Sequence, residues 1–202
     1  MKTLLRIDAS LRHSGSFSRA LADYYQARWT ATNPDGRITS RDVAATPLPH
    51  LDEDTIAVFY AGGNPENGSL HKGIALSDIL IAELKSADDV VISSALYNCN
   101  IPSSLKAWLD HIVRFGHTIS AGDKGTVGLM GGKSVSILTA RGGSPAFSPD
   151  FQGPALKAAF QYLGFTRIKW ISLEGTKMPD NAVDCRIAKA RAEVDALFSS
   201  DK

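Results

Sequence analysis

The chain has 202 residues, 44% of them hydrophobic and 21% charged, enough for one sizeable domain with a buried core. Its formal net charge of +1 gives neither nucleic acid nor an anionic membrane an electrostatic reason to bind. No apolar run approaches the roughly 20 residues that span a bilayer, residues 1–8 meet Arg6 and Asp8 too early for a secretion signal, and the 2 cysteines, Cys99 and Cys185, stand in no metal-ligand spacing, so the cytoplasm is the expected compartment and no metal is expected.

Residues 2–8, dense in Leu and Ile, predict a first strand that runs straight into Ala9-Ser10-Leu11-Arg12-His13-Ser14-Gly15-Ser16-Phe17-Ser18. That loop opens a helix whose Leu21, Tyr24, Tyr25, Arg28 and Trp29 share one face. Asn33-Pro34-Asp35-Gly36 is a turn signal, and the alternation over 37–42 suits a strand at a sheet edge. Residues 43–70 break the rhythm, with Thr46-Pro47-Leu48-Pro49-His50 and a Gly/Asn/Pro-rich stretch over 62–69 framing Val58, Phe59 and Tyr60. Such a segment reads two ways: its aromatics are exposed as a lid or partner surface, or it is an irregular excursion packed on its own domain.

A helix over roughly 71–86 precedes a central strand over 88–94, in which Asp89-Val90-Val91-Ile92 reads as buried. Leu96-Tyr97-Asn98-Cys99-Asn100-Ile101 leads to Pro102, suited to a helix's first turn, and Leu105, Trp108, Leu109, Ile112 and Phe115 mark that helix's apolar face. Residues 116–129 are a glycine-broken connection. A strand over 134–139 ends in a glycine loop, Ala140-Arg141-Gly142-Gly143-Ser144-Pro145. A helix near 151–163, a strand around 165–173 and a last helix carrying Val183, Ile187, Ala190, Val194 and Leu197 complete the chain.

Strand and helix thus alternate across a single domain spanning 1–202, which argues an α/β fold with a parallel sheet, helices on both faces and right-handed crossovers. In a doubly wound sheet of order 2-1-3-4-5, the loops 9–18, 94–101 and 140–145 leave the carboxyl ends of neighbouring strands and meet at one crevice. The first loop brings the hydroxyls of Ser10, Ser14, Ser16 and Ser18, with Gly15, to a helix N-terminus, where unpaired N–H groups and the helix dipole favour a phosphate. The plainer reading makes Ser16 a helix cap. The loop lacks the G-x-G-x-x-G that a dinucleotide's pyrophosphate needs, which points to a single terminal phosphate. Gly131-Gly132-Lys133-Ser134 is not a P-loop, because Val127 stands where the first glycine belongs and the motif precedes a strand.

The central loop carries an aromatic ring, side-chain amides and a thiol with no acid–base pair, which suits gripping a flat heteroaromatic ring better than hydrolysing a bond. Gly142 and Gly143 let ring carbonyls approach backbone amides closely, unless they form only a turn. No G-x-S-x-G elbow or H-E-x-x-H pattern speaks for a hydrolase or a metalloenzyme.

Taken together, Ser10 with Ser16-Phe17-Ser18, Leu96-Tyr97-Asn98-Cys99-Asn100, and Ala140-Arg141-Gly142-Gly143 resemble the FMN-dependent NADH:quinone oxidoreductases known as azoreductases. The likeness extends through Arg41-Asp42-Val43-Ala44, Leu76-Ser77-Asp78, Leu105-Lys106 and Asp110 to Leu163-Gly164-Phe165 and Glu174-Gly175. It implies a flavodoxin-like three-layer sandwich, one noncovalent FMN per subunit, and a homodimer with active sites at its interface. It further implies ping-pong transfer of two electrons from NAD(P)H to quinones and aromatic azo compounds. On that resemblance Ser10, Ser16, Phe17 and Ser18 hold the phosphate, Leu96, Tyr97, Asn98 and Cys99 lie along the isoalloxazine, and Ala140, Arg141, Gly142 and Gly143 bracket its pyrimidine end. No side chain is assigned a catalytic role, since the flavin carries the chemistry. Asn98, Phe59 and Tyr60 are the expected substrate contacts, the two aromatics reaching in from the partner subunit.

The family commonly has methionine where Leu96 stands, an aromatic at Cys99, a histidine in the turn held by Ser144-Pro145, and aromatics where this chain has Ile119-Ser120-Ala121. FMN binding is expected to survive these changes, and the substrate wall to differ. Two other readings stand beside this one: an NAD(P)H-dependent flavin reductase that releases reduced FMN, and a flavodoxin-type electron carrier, against which the near-neutral charge argues.

Overall fold

A computed structural model describes residues 1–60, 72–144, 146 and 149–199, with the side chains of Tyr60 and Lys72 excepted. The expectations for 62–69, for the Tyr60 side chain and for Pro145 therefore lie outside the described residues. In chain order the elements are β1 (Thr3–Asp8), α1 (Phe17–Thr32), β2 (Arg37–Asp42), α2 (Glu53–Tyr60), α3 (Lys72–Ser86), β3 (Asp89–Ala95) and α4 (Ser103–Ile112). They continue with β4 (Ile119–Gly122), β5 (Gly125–Gly128), β6 (Ser134–Ala140), α5 (Gln152–Tyr162), β7 (Arg167–Leu173) and α6 (Val183–Ser199).

Five strands pair in parallel in the order β2-β1-β3-β6-β7, which is the expected 2-1-3-4-5 once the antiparallel β4–β5 hairpin is set aside. Side chains alternate between the two faces of a strand, so a strand covered on both sides must be apolar at successive positions. Leu5, Ile7, Val90, Ile92, Val135 and Ile137 enter one core with residues of α3, α4 and α5. Leu4, Val91 and Leu138 enter the other with Leu21, Tyr25 and Trp29 of α1 and Ala190 and Val194 of α6. Trp29 is also tied to the sheet by its indole N–H, which donates to Asp89 at 3.0 Å.

Two expectations meet a different outcome, and a segment that read two ways takes one of them. The glycine-broken connection is a hairpin, and its closing glycine is used for contact: a Cβ on Gly128 would overlap the Gly164 nitrogen and the Leu163 carbonyl carbon. Gly164 itself has φ +94°, closed to most side chains. Phe115 does not belong to the apolar face of α4, because the helix ends at Ile112 and leaves that ring 44% exposed. The segment after β2 is an excursion packed on its own domain as far as it is described, not an exposed aromatic lid. An Asp52 cap accepts the Thr55 N–H at 2.8 Å and starts α2, which turns Val58 and Phe59 inward, each 8% exposed. The Phe59 ring lies beneath the Arg114 guanidinium, 5.3 Å from ring centre to charge. Among the described residues no helix is long and apolar enough to cross a membrane.

Candidate functional site

Winding reverses at β1, with β2 on one side and β3 on the other, and open α/β sheets bind ligands at the carboxyl end of that switch point. The loop after β1 begins with Ala9, whose N–H still bonds Ser93 at 2.9 Å, and then buries Ser10 to 1% exposure. Ser16 caps α1 by accepting the Arg19 N–H at 3.4 Å, so the plainer reading of that serine holds. It does more than cap. Its hydroxyl donates to Ser10 Oγ at 2.9 Å and lies 3.3 Å from Ser18 Oγ, which gathers three hydroxyls at the helix N-terminus. Ser14 and His13 are exposed and outside that cluster, while Phe17 is half-buried behind it.

A charged floor lies below. Arg6 pairs with Asp8 at 2.8 Å and Asp23 at 2.7 Å, and the Ser93 hydroxyl donates to Asp8 at 2.7 Å. From the first turn of α1, Arg19 forks onto Asp42 at 2.6 and 2.9 Å and also donates to the Ser10 carbonyl at 2.7 and 3.2 Å. Burial works against the Asp42 charge, yet the Arg19 guanidinium and the N–H groups of Ala45 and Ala44 hold that carboxyl below the usual carboxylate range. The same hydrogen bond to Asp42 raises the Arg19 guanidinium above its ordinary value.

The central loop is a tight two-residue turn. Tyr97 and Asn100 exchange backbone hydrogen bonds at 3.1 and 2.9 Å, and the residues between them, Asn98 and Cys99, have φ of +48° and +65°. Paired left-handed residues of this kind normally call for Asn-Gly. Here α5 holds the turn: Phe151 N–H donates to the Cys99 carbonyl at 2.9 Å, and the buried Gln152 amide donates to Ser94 Oγ at 2.8 Å and the Ala95 carbonyl at 3.0 Å. The Tyr97 hydroxyl accepts the Leu11 N–H at 3.2 Å and lies 3.5 Å from Ser10 Oγ, joining the first loop to the second. Leu96 N–H donates to the Ala140 carbonyl at 3.0 Å, joining the second to the third.

In the third loop the carbonyls of Arg141, Gly142 and Gly143 accept N–H groups of Thr176, Lys177 and Gly175 at 3.1, 3.0 and 3.0 Å. Among the described residues the N–H groups of Gly142 and Gly143 have no acceptor. The two glycines face different surroundings: a Cβ on Gly142 would lie 3.2 Å from a Lys177 methylene, and one on Gly143 would meet nothing within 4 Å among the described residues. Arg141 is buried against Asp150, and its Nη1 and the neighbouring Thr139 Oγ1 are buried without a partner among the described residues.

The three loops thus lie at one end of the sheet, with contacts tying Ser10, Ser16 and Ser18 to Tyr97 and Leu96 to Ala140, while Phe17 packs toward α6. On the α4–α5 side of the central turn lies a cavity of about 1150 Å³, lined by Leu11, His50, Tyr97, Asn98, Lys106 and Tyr162 among others. Asn98 is exposed there; Phe59 is not part of that lining. Arg19, Asp150, Phe151 and Gln152 have roles in the site that the sequence reading missed. Arg19 alone left a signal, a cation in a helix's first turn, where the dipole disfavours it.

A family model described as a flavodoxin-like fold matches residues 1–198. An FMN-dependent NADH:quinone oxidoreductase of Azotobacter vinelandii is 38% identical over 195 residues, covering 96% of this chain and 98% of the relative. One of Herminiimonas arsenicoxydans is 36% identical over 202 residues, covering 98% and 99%. Among solved structures, an azoreductase from Bacillus anthracis superposes with a TM-score of 0.89 at 24% identity, covering 98% of this chain and 99% of that one. An FMN-dependent NADH-azoreductase from Bacillus anthracis in complex with FMN gives 0.84 at 23% identity, covering 98% of each. These two structural likenesses speak to the fold.

Proposed function

This chain belongs to the flavodoxin-like fold family, and from that premise we propose that it is an FMN-dependent NADH:quinone oxidoreductase that also accepts aromatic azo compounds. Bound FMN supplies the two-electron hydride chemistry between NADH and the acceptor. The observation that carries this reading is the joining of three loops across the β1–β3 switch point, from Leu11 through Tyr97 and Leu96 to Ala140.

The residues present suit that group. The clustered hydroxyls of Ser10, Ser16 and Ser18 at a helix N-terminus suit a phosphate. The N–H groups of Gly142 and Gly143, with open space beside Gly143, suit ring carbonyls. Thr139 Oγ1 and Arg141 Nη1, buried and unpartnered among the described residues, are polar atoms of the kind that native folds satisfy. On this reading Ser10, Ser16, Phe17 and Ser18 hold the phosphate, Leu96, Tyr97, Asn98 and Cys99 orient the ring, and Ala140 to Gly143 hold its carbonyl edge. No side chain of the chain is asked to move a proton at the reacting centre; the protein binds, orients and excludes water.

Donor and acceptor use in turn the cavity that Asn98 faces, as ping-pong transfer requires. Leu11, 59% exposed, and Tyr162, 46% exposed, line that cavity, and a second copy of the chain set over them completes the substrate wall of a homodimer. Within its own chain the Phe59 ring packs under Arg114.

The test is direct. Purified protein should show a flavin spectrum that NADH bleaches anaerobically and a quinone restores, and it should sediment as a dimer. Free reduced flavin as the product would mark a flavin reductase, and inertness to NADH an electron carrier. Protein that takes up no FMN would refute the reading.

A further inference from the structure

We propose that Arg19, fixed by Asp42, is a positioning residue for phosphate recognition: it turns the Ser10–Leu11 peptide so that an N–H, rather than a carbonyl oxygen, faces the crevice. This rests on the FMN reading and names the group that makes the first loop a phosphate site. Arg19 follows Phe17 and Ser18 at the start of α1, where the helix dipole disfavours a cation, so its presence does not serve the helix. Its Nη2 and Nε donate to the Ser10 carbonyl at 2.7 and 3.2 Å, while Nη1 and Nη2 fork onto Asp42 at 2.6 and 2.9 Å. The backbone has no cis peptide among the described residues, and across a trans peptide the N–H points opposite to the C=O.

With the Ser10 carbonyl drawn to Arg19, the Leu11 N–H points the other way, to the Tyr97 hydroxyl at 3.2 Å. The Arg12 N–H follows it, toward Ser10 Oγ at 3.4 Å. A carbonyl oxygen turned to that side would repel a phosphate, whereas successive N–H groups make an anion-binding concavity. Asp42 and, at 3.9 Å, Asp8 flank the guanidinium and offset its charge, so Arg19 acts by orientation more than by attraction.

The experiment titrates apoprotein with FMN and with riboflavin, which carries the same ring without the phosphate, following quenching of flavin fluorescence. Arg19→Gln should raise the FMN dissociation constant about tenfold and leave that of riboflavin within about twofold. Arg19→Lys keeps the charge but not the planar fork, and should lose about threefold for FMN alone. Asp42→Asn retains an oxygen for the Ala44 and Ala45 N–H groups, presents an amide to Arg19, and should reproduce the lysine result if Arg19→Gln does not fold. Unchanged FMN affinity in these variants, or FMN and riboflavin weakening together, would overturn the inference, as would full rescue by lysine, which would assign the effect to charge. Wild-type protein that takes up no FMN would refute the cofactor assignment and the inference with it; wild-type uptake with unaltered variants refutes the inference alone.

Discussion

The glycine pair at the end of β6 allows a test of the proposed cofactor site, because its two adjacent residues have different surroundings. A Cβ on Gly142 would sit 3.2 to 3.5 Å from the Lys177 methylenes, while one on Gly143 has open space to 4 Å, and neither residue has a positive φ. Valine at 143 therefore meets no backbone strain, and its Cβ no clash, among the described residues. Surface changes of that kind move stability by no more than about 0.5 kcal/mol, so apoprotein melting should not change. A bound ring would meet the branched side chain in front of the Gly142 and Gly143 N–H groups. Losing two hydrogen bonds at roughly 1 kcal/mol each, with some overlap added, gives about 2–3 kcal/mol, or roughly 30- to 150-fold in the dissociation constant. The assay is fluorescence quenching of FMN by apoprotein, with Gly142→Ala as the matched control. That alanine asks only the flexible Lys177 side chain to give way, and should keep FMN affinity within about threefold. Wild-type affinity in Gly143→Val, or an equal loss in the alanine control, would show that the ring does not approach from the open side.

Tyr97→Phe removes the acceptor for the Leu11 N–H and so loosens the first loop from the second; about 1 kcal/mol, a roughly fivefold weaker FMN complex, is expected by the same titration. Gly128→Ala drives a methyl group into the backbone of Leu163 and Gly164, which has no flexible end to yield. An overpacking loss of about 2–3 kcal/mol should lower the melting temperature by roughly 5–10 °C, and an unchanged melt would disprove the close crossing. His117 Nε2 lies 3.0 Å from Arg114 Nη2, a pure donor, so the ring is the acceptor and neutral. Partial burial and the Arg114 charge lower its pKa, so the folded chain binds fewer protons than the unfolded one. The resulting stability is full above about pH 6.5 and is lost as pH falls through the lower folded value. Melting should accordingly decline more steeply between about pH 8 and 5 in wild type than in His117→Gln, which keeps an acceptor that does not titrate; superimposable pH profiles would count against the pair.

How much of this was legible beforehand depends on whether the determining contact is local. The sheet order was readable because strands buried on both faces leave uninterrupted apolar runs, Leu4-Leu5 in β1 and Val90-Val91-Ile92 in β3, and the loops at their carboxyl ends follow from the winding. The β4–β5 hairpin was not, because glycines at 122, 125 and 128 weaken any strand signal and its place is fixed by the crossing with Gly164. The inward turn of Phe59 depends on Arg114, which no local pattern around α2 reveals. Phe115 fell off its helix because Val113 takes an extended conformation just past Ile112 and ends the helical spacing. Arg19 was the exception, visible as a charge at the wrong end of a helix and passed over among the neighbouring serines.

The central turn shows why local rules fail at the candidate site. Asn98 accepts a left-handed backbone readily, but Cys99 at φ +65° is held in a region that costs of order 1–3 kcal/mol outside glycine. Hydrogen bonds from Phe151 to Cys99 and from Gln152 to Ser94 and Ala95, at about 0.5–1.5 kcal/mol each, are enough to offset that strain. The turn is therefore closed by the Tyr97–Asn100 pair and supported from α5, on the far side of the β6 loop. The same short stretch, Asp150 to Gln152, also pairs with Arg141, so the second and third loops are held by one brace while Arg19 and Asp42 hold the first. On the proposed reading, a ring between the second and third loops is steadied because both are fastened to the same stretch, while Arg19 and Asp42 set the first loop and the Leu11–Tyr97 hydrogen bond couples it to the second.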